Sequence, residues 1–289
     1  MRYRFTARPE IRLHQPAAQA PVASGQTSPS RTVGCAACRF AGQCIPEPLK
    51  GTGREVLDRL TQPTPLLERG AVLHQNDSPF ESLYVVQVGA LKGIAEDTDG
   101  NEAIARFYLP GEIIGLNAID RGRFSQRIVA LETSALCRIP YGLLLSQAAT
   151  LPPLMNWLLR RISAEVLTEE ESRMAFASGN AAEVLARALI DLGQRFARGG
   201  LSATRLRLPM TRCELGSYLG LAPETMSRLF RRFTRQRLVA AVRREIELLD
   251  VDGLYLLASS LPPRTPVQHA VSHPPLPHDP GFIYAANGA

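Results

Sequence analysis

Apolar and polar positions follow two rhythms along this chain, and the change near residue 150 divides it. From about residue 64 to 140, apolar residues come in short runs broken by turn formers. Leu83-Tyr-Val-Val-Gln-Val88 is β-branched and aromatic and stops at Gly89. Leu91 to Ala95 runs into the turn Asp97-Thr-Asp-Gly100, Ala103 to Leu109 ends at Pro110-Gly111, and Gln126 to Ile139 keeps a period of two throughout, as one long strand. Short strands at close spacing with Gly, Asp and Pro turns predict an antiparallel sandwich or roll.

Beyond Pro152-Pro153, a favoured opening for a helix, Leu154, Leu158, Ile162 and Val166 recur every four residues, with Met155 and Leu159 beside them. The stripe predicts a helix to about Ala177, roughly 39 Å long at 1.5 Å per residue, more than one small domain needs. Either this helix packs on its own domain or its stripe is a two-stranded dimer seam. Glu169, Glu170 and Glu171 interrupt the stripe near its end. Ala181 to Arg198 reads as a second helix, ended by Gly199-Gly200. Thr211-Arg-Cys-Glu214 fits a capping box, opening a helix to Leu219 that Gly220 stops. Ala222-Pro223 starts another, through about Gln236, so the pair predicts a helix-turn-helix. Val239 to Leu249 and Gly253 to Leu257 are expected to supply the wing that follows.

The predicted fold class is therefore α+β, in five segments. Residues 1–34, rich in Pro, Ala, Gln and Ser, read as a disordered tail. Residues 35–150 hold a cysteine-rich segment and the β-roll, 151–180 the long helix, and 181–257 the winged helix-turn-helix. Residues 258–289, rich in Pro and His, read as a second disordered tail. No run of about 18 apolar residues exists to cross a membrane, and the first 30 residues lack the apolar core of a secretory signal. A cytoplasmic protein is expected, without a membrane partner.

Charge sharpens the picture at one place. The formal net charge is +6, yet from Arg205 to Glu245 ten arginines face three glutamates, so the rest is about neutral. A basic block in a neutral chain is a footprint for phosphates. On the second helix of the pair, Glu224, Ser227 and Arg228 lie at i, i+3 and i+4 and share one face near its start. That end of a recognition helix enters the major groove, where Arg pairs with guanine, Glu accepts from cytosine and Ser bonds either way. Arg231, Arg232, Arg235 and Arg237 follow as candidates for phosphate contacts, which supply affinity rather than sequence choice, and Thr211 and Arg212 are further DNA-binding candidates. The alternative is a solvated basic helix with no DNA partner.

Cys35, Cys38 and Cys44 sit close together in C-A-A-C-R-F-A-G-Q-C, and the chain has two further cysteines, Cys137 and Cys213. In a reducing compartment such a group points to metal or redox chemistry before disulfides. An iron–sulfur cluster wants four thiolates, and the fourth is Cys137 or Cys213. Cys137, sharing a strand face with Val129, Leu131, Ala135 and Ile139, also reads as an ordinary core cysteine. Structural zinc suits four thiolates too, whereas no βαβ setting supports a thioredoxin-like pair. Enzyme signatures such as H-E-x-x-H, a P-loop or G-x-S-x-G are absent, so a non-enzyme is expected.

Over about residues 35–257 the chain resembles the fumarate and nitrate reduction (FNR) regulators, the oxygen-sensing branch of the CRP/FNR superfamily. The resemblance rests on the cysteine trio with Ile45-Pro46, on Leu109-Pro-Gly-Glu-Ile-Ile-Gly115, and on Ala130-Leu-Glu-Thr-Ser-Ala-Leu-Cys137. It rests also on Arg195-Phe-Ala, Met210-Thr-Arg212, and Tyr218-Leu-Gly-Leu221 with Glu224-Thr-Met-Ser-Arg228. It implies a cyclic-nucleotide-binding-like β-roll, a long dimerisation helix and a C-terminal winged helix-turn-helix. It implies a [4Fe-4S] cluster on Cys35, Cys38, Cys44 and Cys137, with Cys213 outside the set. It implies a homodimer, paired through Leu154, Leu158, Ile162, Val166 and Glu169, on double-stranded DNA at palindromic promoter sites of the TTGAT type, with RNA polymerase as partner. Nitric oxide or general redox state is the alternative signal for the same architecture, and an iron–sulfur or zinc-binding structural protein is the alternative of another class. Nucleotide-binding members carry Gly-Glu-Leu-Gly and a later Arg-Ser pair; here Gly115-Leu-Asn-Ala118 and Phe124-Ser-Gln-Arg127 stand instead, which disfavours nucleotide binding.

Overall fold

Strand β3 (Ser82–Val88) is buried on both faces over its first five residues, and that double burial organises the N-terminal half. Side chains alternate across a strand, so Leu83 and Val85 enter one apolar cluster while Tyr84 and Val86 enter another. The fold was obtained as a computed structural model that describes residues 38, 40, 59–96, 99–178 and 180–258, with the side chains of 171–178 left aside. The expected tails therefore lie outside the described residues, apart from Ala258.

Two four-stranded antiparallel sheets form the roll. One orders β1 (Gln62–Pro63), β8 (Ala135–Pro140), β3 and β6 (Ile113–Ile114); the other orders β2 (Val72–His74), β7 (Arg127–Ala130), β4 (Leu91–Glu96) and β5 (Glu102–Tyr108). Tyr84, Val86, Leu91, Tyr108, Ile128 and Leu136 fill the space between them. The outer face of the first sheet, through Leu83, Val85 and Ile139, packs on α1 (Tyr141–Thr150) and on the start of α2 (Pro152–Ser178). The outer face of the second meets the C-terminal half: Phe107, Leu109, Ala90 and Leu131 share one cluster with α3 (Ala181–Arg198) and the helices beyond it.

That half contains α3, β9 (Arg205–Arg207), α4 (Arg212–Leu219), α5 (Pro223–Arg235), the hairpin β10 (Val239–Val242) and β11 (Glu245–Leu248), and α6 (Val251–Ala258). Two expectations are corrected. The single strand expected over Gln126–Ile139 is two, β7 and β8, in different sheets. Cys137 therefore keeps Ile139 as a neighbour but parts from Val129, which pairs with Val72 and Lys92, and from Leu131. Gly253 to Leu257 is not wing but helix, because Asp250 accepts the Gly253 N–H at 2.8 Å and starts a turn. The third wing strand is β9 instead, paired with β11.

His74 stacks on Phe124 with ring centroids 3.9 Å apart inside the roll. Burial, helped by the nearby Arg138 charge, lowers its pKa to about 4. A neutral buried imidazole resists protonation that the unfolded chain accepts, so its contribution is complete above about 6.5 and is lost as pH falls toward 4. Because His74 is only half-buried, the expected loss is about 1–2 kcal/mol after allowing for solvent screening. Urea denaturation at about pH 7 and about pH 5 measures this, and His74→Leu should remove most of that difference.

Candidate DNA interface and thiol site

The capping box at Thr211 forms as the spacing predicts: Thr211 Oγ1 accepts from Glu214 N at 3.1 Å, and a Glu214 carboxylate oxygen accepts from Thr211 N at 2.8 Å. Gly220 ends α4 in the left-handed region, φ 66°, where a side chain is strained. Gly216 lets the following turn close in, since a Cβ there would stand 2.8 Å from Leu221 O. Helix α5 then leaves with Pro223 at its first turn.

Helix α5 divides cleanly. Met226, Leu229, Phe230 and Phe233 are buried, whereas Glu224, Ser227, Arg228, Arg231 and Arg232 are exposed. The proposed readers thus stand together on the open side of the helix, near its start. Arg228 is held lightly, by a 3.4 Å contact from Nη2 to Thr225 Oγ1. Thr211 and Arg212 are half-buried at the start of α4. The Arg212 guanidinium lies 4.5 Å from the Phe230 ring centroid, a cation–π contact that joins α4 to α5. Sequence reasoning overlooked Arg243, exposed at the turn between β10 and β11 with φ 52°. The signal was Val-Arg-Arg-Glu between two apolar runs, a two-residue hairpin loop.

Cys137 sits mid-strand on β8, in register with Val85 of β3 and Pro63 of β1. It is half-buried and packs on the cluster that contains Leu154, Trp157 and Leu158 of α2. Cys38 is half-buried, and two residues on, Phe40 is 2% exposed. Cys213 is exposed on α4. None of these three is in a disulfide. Cys35 and Cys44 lie outside the described residues, and among the described residues no three Cys, His, Asp or Glu converge on one point. The donor set suits a sulfur-liganded group: soft thiols, outside any disulfide where described, with Cys137 neither sealed in the core nor fully open.

Helix α2 carries the residues of the expected pairing stripe in different surroundings. Leu154 and Leu158 are 1% and 3% exposed because the roll's own sheet and α1 cover them. Leu159 and Val166 are exposed at 57% and 52%, Met155 and Ile162 are half-buried, and Glu169 is exposed.

A link between the two halves lies in motifs far apart in sequence. Arg195 of α3 is 9% exposed and clasps Glu112, with Nε to Oε1 at 2.7 Å and Nη2 to Oε2 at 2.8 Å. It also donates to Phe107 O at 2.7 Å. Burial pushes the Glu112 pKa up, but the Arg195 charge and hydrogen bond outweigh it and hold the carboxyl below its ordinary range. Burial works against the Arg195 charge too, and Glu112 overrides that upward.

The family description Crp-like helix-turn-helix domain matches residues 184–257, and cyclic nucleotide-binding domain matches residues 66–150. The transcriptional activator protein FnrA of Stutzerimonas stutzeri is 36% identical over 228 residues, 79% of this chain and 93% of that protein. The fumarate and nitrate reduction regulatory protein of Salmonella typhi is 33% identical over 224 residues, 78% of this chain and 90% of that protein. Among solved structures, FixK2 from Bradyrhizobium japonicum superposes with a TM-score of 0.64 at 23% identity, covering 70% of this chain and 99% of that one. These relatives are regulators, not enzymes, and no described helix is long and apolar enough to cross a membrane.

Proposed function

Because the chain belongs to the FNR-type branch of the CRP/FNR family of transcription regulators, we propose that it is an oxygen-responsive activator that pairs and reads a TTGAT-type inverted repeat when a [4Fe-4S] cluster is bound. DNA binding itself goes with the helix-turn-helix. Cys35, Cys38, Cys44 and Cys137 would hold the cluster. The chemistry it supplies when bound is reaction with oxygen, to a [2Fe-2S] form in the family resembled.

The observation that carries this reading is the place of Cys137. It packs against the apolar cluster to which Leu154, Trp157 and Leu158, at the start of α2, belong. A thiolate held at that point fixes the strand against the helix proposed to pair. On α2, Met155, Leu159, Ile162, Val166 and Glu169 recur at alternating intervals of four and three, the spacing of a two-stranded seam. Glu169 then faces its own copy across the dimer axis, and like charges there oppose pairing. An association so weakened is one that a modest bias can tip. In the paired state two α5 helices enter successive major grooves about 34–36 Å apart. RNA polymerase is the partner recruited there, in the cytoplasm.

Purification without oxygen, with iron and sulfide assay and operator binding, tests the reading. Brown protein with about four irons per protomer that bleaches in air is expected. Cys137→Ala should lose both the iron and anaerobic operator binding. Full iron content in that variant would refute the ligand assignment, and a colourless protein holding one zinc would replace the sensor with a structural site.

A further inference from the structure

Strand β5 and its neighbour β4 carry polar links on opposite faces, to different partners. The register pairs Lys92 with Phe107 and Gly93 with Arg106. Neighbours along a strand point to opposite sides, so Lys92 and Phe107 share the outer face while Arg106 takes the inner one. On the outer face, Lys92 Nζ donates to Glu214 Oε1 at 2.8 Å. Phe107, fully buried, meets the Tyr218 ring edge-on with centroids 5.2 Å apart, and its carbonyl accepts from Arg195. Glu214, Tyr218 and Arg195 all belong to the DNA-reading half. Glu214 is the same carboxylate that completes the capping box of α4. On the inner face, Arg106 pairs with Glu165 of α2, Nη2 to Oε2 at 3.0 Å, and its guanidinium lies 5.3 Å from the Tyr108 ring centroid. Both members of the pair are about four-fifths buried, with side chains 20% and 18% exposed. Glu165 directly precedes Val166 of the proposed seam.

A ribbon two strands wide thus touches the pairing helix with one face and the base of the reading motif with the other. The ladder is also irregular beside the link: the register shifts between Gly93 and Ile94, leaving Ala105 out of the pairing. A bulge of this kind adds local twist and re-aims adjacent side chains. We propose that Arg106 and Lys92 are positioning residues for DNA recognition, and that the β4–β5 ribbon transmits the placement of α2 to the recognition helix. The inference rests on the proposed dimeric, operator-reading function and adds to it the route by which pairing sets the angle of the reading head. Pairing alone brings two heads together; the ribbon sets how each is presented to its half-site.

The test uses the full chain prepared without oxygen, a labelled duplex carrying the inverted repeat and a scrambled duplex. Sedimentation velocity measures pairing alongside. Arg106→Gln is expected to pair as the unaltered protein does and to bind the scrambled duplex equally. Its operator affinity should fall about 5- to 50-fold, the range of a modest coupling between sites. The exchange Arg106→Glu with Glu165→Arg should restore affinity to within about three-fold, as expected of a reciprocal pair. Lys92→Gln should mimic the loss and Lys92→Arg should avert it, since an arginine still donates to Glu214. If the unaltered dimer binds operator and both single variants bind it as tightly, the inference is overturned alone. It is also overturned if the exchange is no better than Arg106→Gln, or if pairing falls in step with affinity. An unaltered dimer that ignores the operator overturns the function reading and this inference with it.

Discussion

Arg195→Met is expected to destabilise the protein by about 3–5 kcal/mol, the cost of leaving one member of a buried ion pair uncompensated. Arg195 makes three short hydrogen bonds, two to Glu112 and one to Phe107 O, from a nearly buried position. Without it, Glu112 retains the Leu109 N–H at 3.1 Å as a donor and the more distant Arg106 charge, but loses the guanidinium hydrogen-bonded to it. The carboxyl must then take up a proton or draw in water, and Phe107 O loses a partner as well. Arg195→Met together with Glu112→Leu should recover most of the loss, because two apolar side chains can fill the same space without stranding a charge. The pH dependence distinguishes the two single-site situations. In the unaltered protein Glu112 has a lowered pKa, so its contribution is present above the ordinary carboxylate value and fades as pH falls through the lowered one. In Arg195→Met the carboxyl pKa should rise instead, so that this variant gains stability, relative to the unaltered protein, as the solution is acidified. Denaturation midpoints across pH measure both effects. A loss under about 1 kcal/mol in the single variant would mean that the two halves do not depend on this clasp.

The same pair shows where sequence reasoning stopped. Leu109-Pro-Gly-Glu and Arg195-Phe-Ala each stood out as motifs, but nothing in the order of residues says that they meet. Local signals did better. Thr211 with Glu214, Gly220, Pro223, and Gly199 after Arg198 act within a few residues of where they stand, and the helices begin and end where they point. The break between β7 and β8 was hidden because Leu131-Glu-Thr-Ser134 has neither Gly nor Pro and the alternation continues through it while the chain changes sheets. The C-terminal helix was missed for the opposite reason: Asp250 is a good cap, but the run Gly-Leu-Tyr-Leu-Leu after it reads equally as a strand. On α2 two apolar stripes lie side by side at the same period. Only the packing of Trp157 and its neighbours on the roll decides that Leu154 and Leu158 turn inward and Leu159 and Val166 outward. The proposed thiol set starts from the spacing of Cys35, Cys38 and Cys44, and its fourth member rests on resemblance, because the strand pattern alone reads Cys137 as core.

Arg228→Ala should weaken operator binding more than any other single change on the reading surface. Each bidentate contact to a base is worth about 1–3 kcal/mol, and a symmetric dimer makes it twice, so about 2–6 kcal/mol is at stake, roughly 30-fold or more in affinity. Arg228 is exposed one turn into α5, beside Glu224 and Ser227, opposite the face packed by Met226 and Phe230. Its removal leaves that packing untouched, so helicity and thermal midpoint should not move. Arg231 and Arg232 are exposed further along the same helix and serve as the contrast. Alanine at either should weaken operator and scrambled duplex alike and reduce the salt slope of log affinity by about 0.9 for each phosphate left without its arginine. Arg228→Ala should instead narrow the gap between the two duplexes at every salt concentration, with its largest penalty at the base pair it reads. An equal loss on both duplexes would place Arg228 on the phosphates and leave Glu224 and Ser227 to carry the sequence choice.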